Sequence, residues 1–250
     1  MDVVSLAERP DLADAVFGIP YGPDAGAFLQ GDLPALLLRR RRMTDRWADH
    51  VLVLVDDDGS VAARSVAVPF RADLRGREPF PDGGWDQVAV WAAEDALDGR
   101  AADTLCALEI VVHPDRRGQQ LSGRMLDAMR RRAGAAGLGL VAPVRPPDKA
   151  HEPHVPMAEY AARTRPDGLP RDWWLRVHVR AGGRLVGVCA CSATVQARLA
   201  QWRTWTGLPL TEDGATAVPG GLVPVLVSTD HGVGVHVEPN VWVDHRGDAG

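Results

Sequence analysis

The chain reads as an α/β protein, a mixed, twisted sheet with helices on both faces. Two observations carry this. Residues 104–144 run strand, Gly-bearing loop, amphipathic helix, strand, which is a βαβ unit. On either side of it, Gly-centred turns join short apolar runs into hairpins, so parallel and antiparallel pairs share the sheet.

The elements follow in order. Leu6, Leu12, Val16 and Phe17 fall at helical spacing, and residues 18–23 form a Gly/Pro loop. Residues 28–43 predict a helix ending in Arg39–Arg42, a charge run that suits a solvated helix C-terminus. Residues 51–55 and 61–69 predict a hairpin around Asp56-Asp57-Asp58-Gly59, with the aspartates as turn chemistry and not a metal loop. After a loop at 70–86 come a helix at 88–98, a strand at 104–112, a helix at 122–136 and a buried strand at 140–144. A Pro- and His-rich stretch, 143–156, leads to a short helix at 157–160. Residues 174–180 and 184–189 predict a second hairpin, 195–206 a helix, 222–228 and 233–237 a third hairpin, and 241–243 a last short strand.

Composition excludes several classes. The 250 residues, 46% of them hydrophobic, suffice for one large domain. A net charge of −5 gives no reason to expect nucleic acid or an anionic membrane. The basic residues are arginine apart from Lys149. Three cysteines, Cys106, Cys189 and Cys191, do not make a disulfide framework, and no export signal or membrane span is visible, so a cytoplasmic protein is expected.

The most informative stretch is Val111-Val112-His113-Pro114-Asp115-Arg116-Arg117-Gly118-Gln119-Gln120-Leu121-Ser122-Gly123. A strand, a basic Gly-containing turn and a helix start aim backbone N–H groups at one point, which suits a pyrophosphate. Arg116 and Arg117 add fixed positive charge. Glu109 sits in an otherwise apolar strand, where alternation places it with Leu105, Ala107 and Val111 on one face. A carboxylate there is a candidate general base, or else a structural partner for an arginine.

This stretch resembles the acyl-CoA-binding motif of the GNAT acyltransferase superfamily, Arg/Gln-x-x-Gly-x-Gly/Ala after a strand ending Val-x-Pro. Arg117 and Val112-His113-Pro114 match, while Gln120 stands in the place of the central Gly and Ser122 in that of the last small residue. A side chain at 120 is expected to resist φ > 0 and to weaken the grip on pyrophosphate. The resemblance implies a GNAT-type fold over one domain, 1–250, and an acyl-CoA cosubstrate such as acetyl-CoA. It implies carbonyl polarisation by backbone N–H groups of Ile110, Val111 and Val112. Pyrophosphate binding would fall to Arg117, Gly118, Gln119, Gln120, Leu121, Ser122 and Gly123, and base work to Glu109.

Leu199 to Leu208, with Trp202 and Trp205, resembles the superfamily's late helix but lacks its usual Tyr. Residues 145–194 would then be an insertion, a natural lid or specificity element. The general acid stays open between Ser122, a water and Tyr160 from that insertion. Trp202 and Trp205 suit core or pocket wall better than chemistry. Pro153 breaks the helix that would align His151 and His154 on a metal, so no metal site is expected. Cys189 and Cys191 on one strand face suit packing. Glu238 to Trp242 is either acceptor-pocket wall or turn.

The expected function is N-acyl transfer to a small-molecule amine by direct attack on the thioester, in a monomer or homodimer. Two alternatives stand beside it: a donor carried on an acyl carrier protein, and a catalytically silent binding module.

Overall fold

The computed structural model describes residues 1–22, 25–38 and 45–246. Among them lie nine strands: β1 (Asp2–Ser5), β2 (Val51–Val55), β3 (Val61–Phe70), β4 (Thr104–Val112), β5 (Gly139–Val144), β6 (Arg184–Arg198), β7 (Gly214–Thr216), β8 (Val225–Ser228) and β9 (Val233–Asp244). All join one sheet in the order β1-β2-β3-β4-β5-β9-β8-β7, with β6 along the other edge of β9. Only β4 and β5 pair in parallel. The helices are α1 (Ala13–Gly18), α2 (Leu33–Leu38), α3 (Gly84–Asp98), α4 (Leu121–Ala135), α5 (Met157–Ala161), α6 (Trp173–Arg180) and α7 (Leu199–Thr206).

Strand alternation sorts the core into two layers. On one face, Leu105, Ala107 and Leu140 pack against Met125, Leu126 and Met129 of α4 and Leu175 of α6. On the other, Val68, Phe70, Cys106 and Val141 pack against Val88, Ala89 and Ala92 of α3, while Val51, Val53 and Val66 meet Val16 and Phe17 of α1. A further cluster joins Phe28, Val195, Trp202 and Val225 beyond the end of β5.

Several elements differ from the sequence-based expectation. Residues 2–5, to which the sequence assigned no element, form edge strand β1 against β2. The helix expected at 28–43 is broken: a 3-10 turn, Ala27–Gly31, stops at Asp32, and α2 starts afresh with Pro34 in its first turn, where proline is tolerated. Arg39–Arg42 lie outside the described residues. The expected strand at 174–180 is helix α6, started by Asp172, whose carboxylate accepts N–H bonds from Trp174 at 2.9 Å and Leu175 at 3.0 Å. That cap outweighs the β preference of Val177 and Val179.

β6 runs 15 residues and takes in 195–198, so helix α7 begins only at Leu199. The expected strands at 233–237 and 241–243 are one strand, β9, continuous through Pro239. Proline has no N–H for the ladder, and β6 bulges opposite it: Cys189 pairs Asn240 and Ala193 pairs Glu238, leaving 190–192 against Pro239. The bulge also separates the two thiols expected on one face, since Cys189 is buried and Cys191 exposed. The stretch expected as an insertion, 145–194, thus takes in the first part of β6. Helix α6 carries the chain from β5 to β6, and 184–194 are integral to the sheet.

Helix α3 is seated on this bulge. A Cβ at Gly84 would lie 2.4 Å from Ser192 Oγ, so only glycine allows the approach. Ser192 Oγ accepts the Trp85 N–H at 3.0 Å, and Asp86 accepts the Thr194 N–H at 2.9 Å. Burial, followed by the neighbouring Asp32 carboxyl, pushes the Asp86 pKa up to about 8. From pH 4 to 8 the unfolded chain thus loses a proton that the folded chain retains, and stability falls over that window. Asp86→Asn keeps an acceptor for Thr194 and does not titrate. Urea melts of the variant and the parent are expected to converge near pH 4, with the variant increasingly more stable toward pH 8.

Candidate active site

The site grows from one irregularity in β4. Val66 pairs Glu109 and Ala67 pairs Ala107, so Leu108 is an extra residue, a β-bulge. The Leu108 carbonyl, freed from the ladder, accepts the Trp85 indole N–H at 3.0 Å. Beyond the bulge β4 parts from β5. Their parallel pairing covers only Thr104–Cys106, after which β5 pairs β9. The edge of β4 from 107 to 112 has no strand partner among the described residues.

Which backbone groups face that open edge follows from the ladder. The His113 N–H donates to the Ala62 carbonyl at 2.9 Å. Antiparallel partners alternate between bonded and non-bonded pairs, so Val111 and Glu109 also bond toward β3. Ile110 and Val112 then point their N–H and C=O groups away from β3, into the gap. Val111, expected to join them, has its backbone turned to Arg64 on β3.

The bulge also reverses the face expected for Glu109. Ile110 and Val112, not Glu109 and Val111, continue the face of Leu105 and Ala107 against α4. Glu109 emerges on the α1 side. There its Oε1 accepts from Arg64 Nε at 2.7 Å and its Oε2 accepts from the Tyr21 hydroxyl. The Arg64 side chain is 3% exposed, and its Nη1 also donates to the Val16 and Ile19 carbonyls at 2.9 and 3.0 Å. Its guanidinium carbon lies 5.1 Å from the centroid of the Tyr21 ring. Neither Tyr21 nor Arg64 stood out in the sequence. Arg64 carried a signal, a lone charge inside an apolar strand, whereas nothing local marks Tyr21.

The loop after β4 is a 3-10 turn, Pro114–Arg116, then an exposed stretch to Gln120. Arg116 is held to Asp56 of the β2–β3 turn at 2.6 Å. Arg117 makes no ion pair with a described residue, and its guanidinium packs on Gly22, 3.0 Å from where a Cβ would be. Gly118 has φ 78° and Gln120 φ 57°. The expectation that a side chain at 120 resists a left-handed backbone is thus corrected: Gln120 adopts it and is the residue just before α4. The first backbone bond closing that end of α4 runs from Arg124 to Gln120, which leaves the N–H groups of Leu121, Ser122 and Gly123 outside the helix ladder. A local cost of about 1–2 kcal/mol for a non-Gly residue in this conformation is carried by the flanking strand and helix.

Other candidates lie elsewhere. Tyr160, named as a possible acid, is 6% exposed inside the α4-side core. Its hydroxyl donates to Asp172 at 3.0 Å, and burial pushes its pKa up. It braces the α6 cap, and a proton-donor role is not supported. Trp202 is core, its indole N–H on the Gly234 carbonyl at 2.8 Å. No group of three metal-ligating side chains forms among the described residues, and no helix there is long and apolar enough to cross a membrane.

Beyond β5, β9 pairs β8 through 233–235 and β5 through 241–244, which leaves 236–240 uncovered on that edge. Here Arg145 binds both oxygens of Glu238, at 2.7 and 3.1 Å, and His236 Nε2 lies 3.1 Å from the same carboxylate. Although Glu238 is buried, Arg145 and His236 hold its pKa down to about 2.

No family model matches the chain. The arginine N-acetyltransferase avaD of Aspergillus versicolor is 31% identical over 271 aligned positions, spanning 96% of this chain and 92% of that protein. The loading GNATL domain of CurA from Lyngbya majuscula superposes with a TM-score of 0.59 at 14% identity, over 98% of this chain and 96% of that one. The GphF GNAT-like decarboxylase, solved with isobutyryl-CoA, gives 0.53 at 18% identity, over 98% and 99%. The chain belongs to the GNAT superfamily, and it is an acyltransferase.

The backbone at 120 yields a test. Gln120→Val puts a β-branched residue at positive φ and is expected to lower stability by about 1–2 kcal/mol. Gln120→Gly is expected to hold or raise it. Urea denaturation of the two variants checks the order.

Proposed function

We propose that the chain transfers an acetyl group from acetyl-CoA to the amine of a small molecule of arginine's class, and that the donor lies along the open edge of β4. The observation that carries this is the continuity of that edge with the positive-φ loop. Ile110 and Val112 direct N–H groups into the gap, and Leu121, Ser122 and Gly123 direct theirs at the loop. A thioester carbonyl suits the first set and a pyrophosphate the second. Arg117, Gly118 and Gln119 border the phosphates and supply charge and close backbone approach. The relative's acceptor, arginine, suggests the substrate class.

In this reading the amine attacks the thioester carbon directly, the C–N bond forms, and the C–S bond breaks to release the CoA thiol. The strand N–H groups stabilise the oxyanion of the tetrahedral intermediate. Glu109 takes the proton from the attacking amine, that proton goes on to the departing thiolate, and Arg64 fixes the orientation of Glu109. A carrier-bound donor presents the same pantetheine arm without the nucleotide, and the loop contacts would then go unused.

Acetyl-CoA at about 100 times its Kd is expected to stabilise the folded protein by roughly 2.7 kcal/mol, read as a rise in melting temperature. Arg117→Ala should shrink that rise. Glu109→Gln, assayed by thiol release with acetyl-CoA and arginine, is expected to cut kcat by about 10²-fold or more. A kcat within about threefold of the parent would exclude Glu109 as the base, and no melting-temperature shift with any acyl-CoA would point to the carrier-bound donor.

A further inference from the structure

The chain contains two tyrosines. Tyr160 is committed to Asp172 inside the core. Tyr21 stands at the edge of the proposed site, on the segment between α1 and α2. Arg64 ties down the chain leading to it through the Val16 and Ile19 carbonyls. Gly22, the next residue, packs against Arg117 of the basic loop. Tyr21 therefore spans from the bulge of β4 toward the loop proposed to hold pyrophosphate. Its half-buried side chain reaches Glu109, the neighbour of Ile110, whose N–H faces the open edge.

Both Glu109 oxygens already accept from the protein, one from Arg64 and one from Tyr21. Of the two donors only the tyrosine can exchange its proton, because a guanidinium does not deprotonate in a protein. We propose that Tyr21 is a catalytic residue, a two-way proton relay between substrate and Glu109. This rests on the acyltransferase reading of the same site.

The step balances without a further reactant. As the neutral amine nitrogen bonds to the thioester carbon, its proton passes to Tyr21 Oη, and the Tyr21 proton passes to Glu109 Oε2. When the tetrahedral intermediate collapses, the C–S electron pair leaves on sulfur. Glu109 returns its proton to Tyr21, and Tyr21 gives one to the thiolate. The products are the amide and the thiol, with both side chains restored. The relay supplies the acid that the late helix lacks, from the opposite end of the chain.

The test is Tyr21→Phe in the full chain, which retains the ring beside Arg64 and removes the hydroxyl. With acetyl-CoA and arginine, kcat is expected to fall about 10²-fold or more, with KM for acetyl-CoA within about twofold of the parent. The double variant with Glu109→Gln should be no slower than the slower single variant, because both cut one path. A kcat within about threefold of the parent, or losses that multiply independently in the double variant, would overturn the relay while leaving the acyltransferase reading intact. A parent that binds acetyl-CoA yet releases no thiol with arginine or other small amines would overturn both.

Discussion

A guanidinium buried without a counter-charge costs several kcal/mol, and Arg64 is almost wholly buried in the middle of the sheet. Its position is tolerable because it is met on several sides. Nε meets Glu109, Nη1 meets two carbonyls at the end of α1, and the aromatic faces of Phe17 and Tyr21 lie alongside. The requirement runs in both directions. Without Glu109 the arginine has no charge partner, and without Arg64 the segment at 16–21 loses two of its anchors to the sheet. The ion pair thus fixes where the N-terminal segment lies against β4, and hence what stands beside the open edge.

Two irregularities then shape the sheet around that pair. Leu108 adds a residue to β4, and 190–192 add residues to β6 opposite Pro239. Each departs from regular pairing at a place that sets the surrounding packing. The first frees the edge of β4 and turns Glu109 toward α1. The second accommodates a proline in a long strand and creates the seat for Gly84 and Trp85, whose indole in turn satisfies the carbonyl at the first bulge. Helix α3 therefore braces both bulges. The uncovered stretch of β9 is polar yet settled, since Glu238 is neutralised by Arg145 before any ligand arrives.

Much of this was legible locally. The bounds of β4, the β2–β3 hairpin and the βαβ unit follow from alternation, turn residues and helical spacing, and the structure has them at nearly the same residues. The basic loop was legible for the same reason, as a strand end and a helix start within a few residues of each other. What was not legible depends on distant parts of the chain. Glu109 was placed on the wrong face because a single-residue bulge is set by pairing with β3, which alternation within β4 does not contain. Tyr21 lies 88 positions from Glu109, and no spacing rule connects them. Helix α6 was misread because Trp, Val and Val favour strands, although Asp172 two positions before Trp174 was a cap signal open to reading.

Gln120 shows how local preference yields to position. A non-glycine residue at φ 57° is disfavoured on its own, yet β4 ends at Val112 and α4 starts at Leu121 wherever their buried faces require. Ile110 and Val112 on the strand, and Leu121 and Met125 on the helix, are held in one core, and the few residues between must close the distance. The core burial on both sides outweighs a strain of about 1–2 kcal/mol. The strain falls at the turn that aims the helix N–H groups outward, while the surrounding scaffold keeps its charges paired. A glycine there would relax the turn without moving it, because the core and not residue 120 decides where the loop runs.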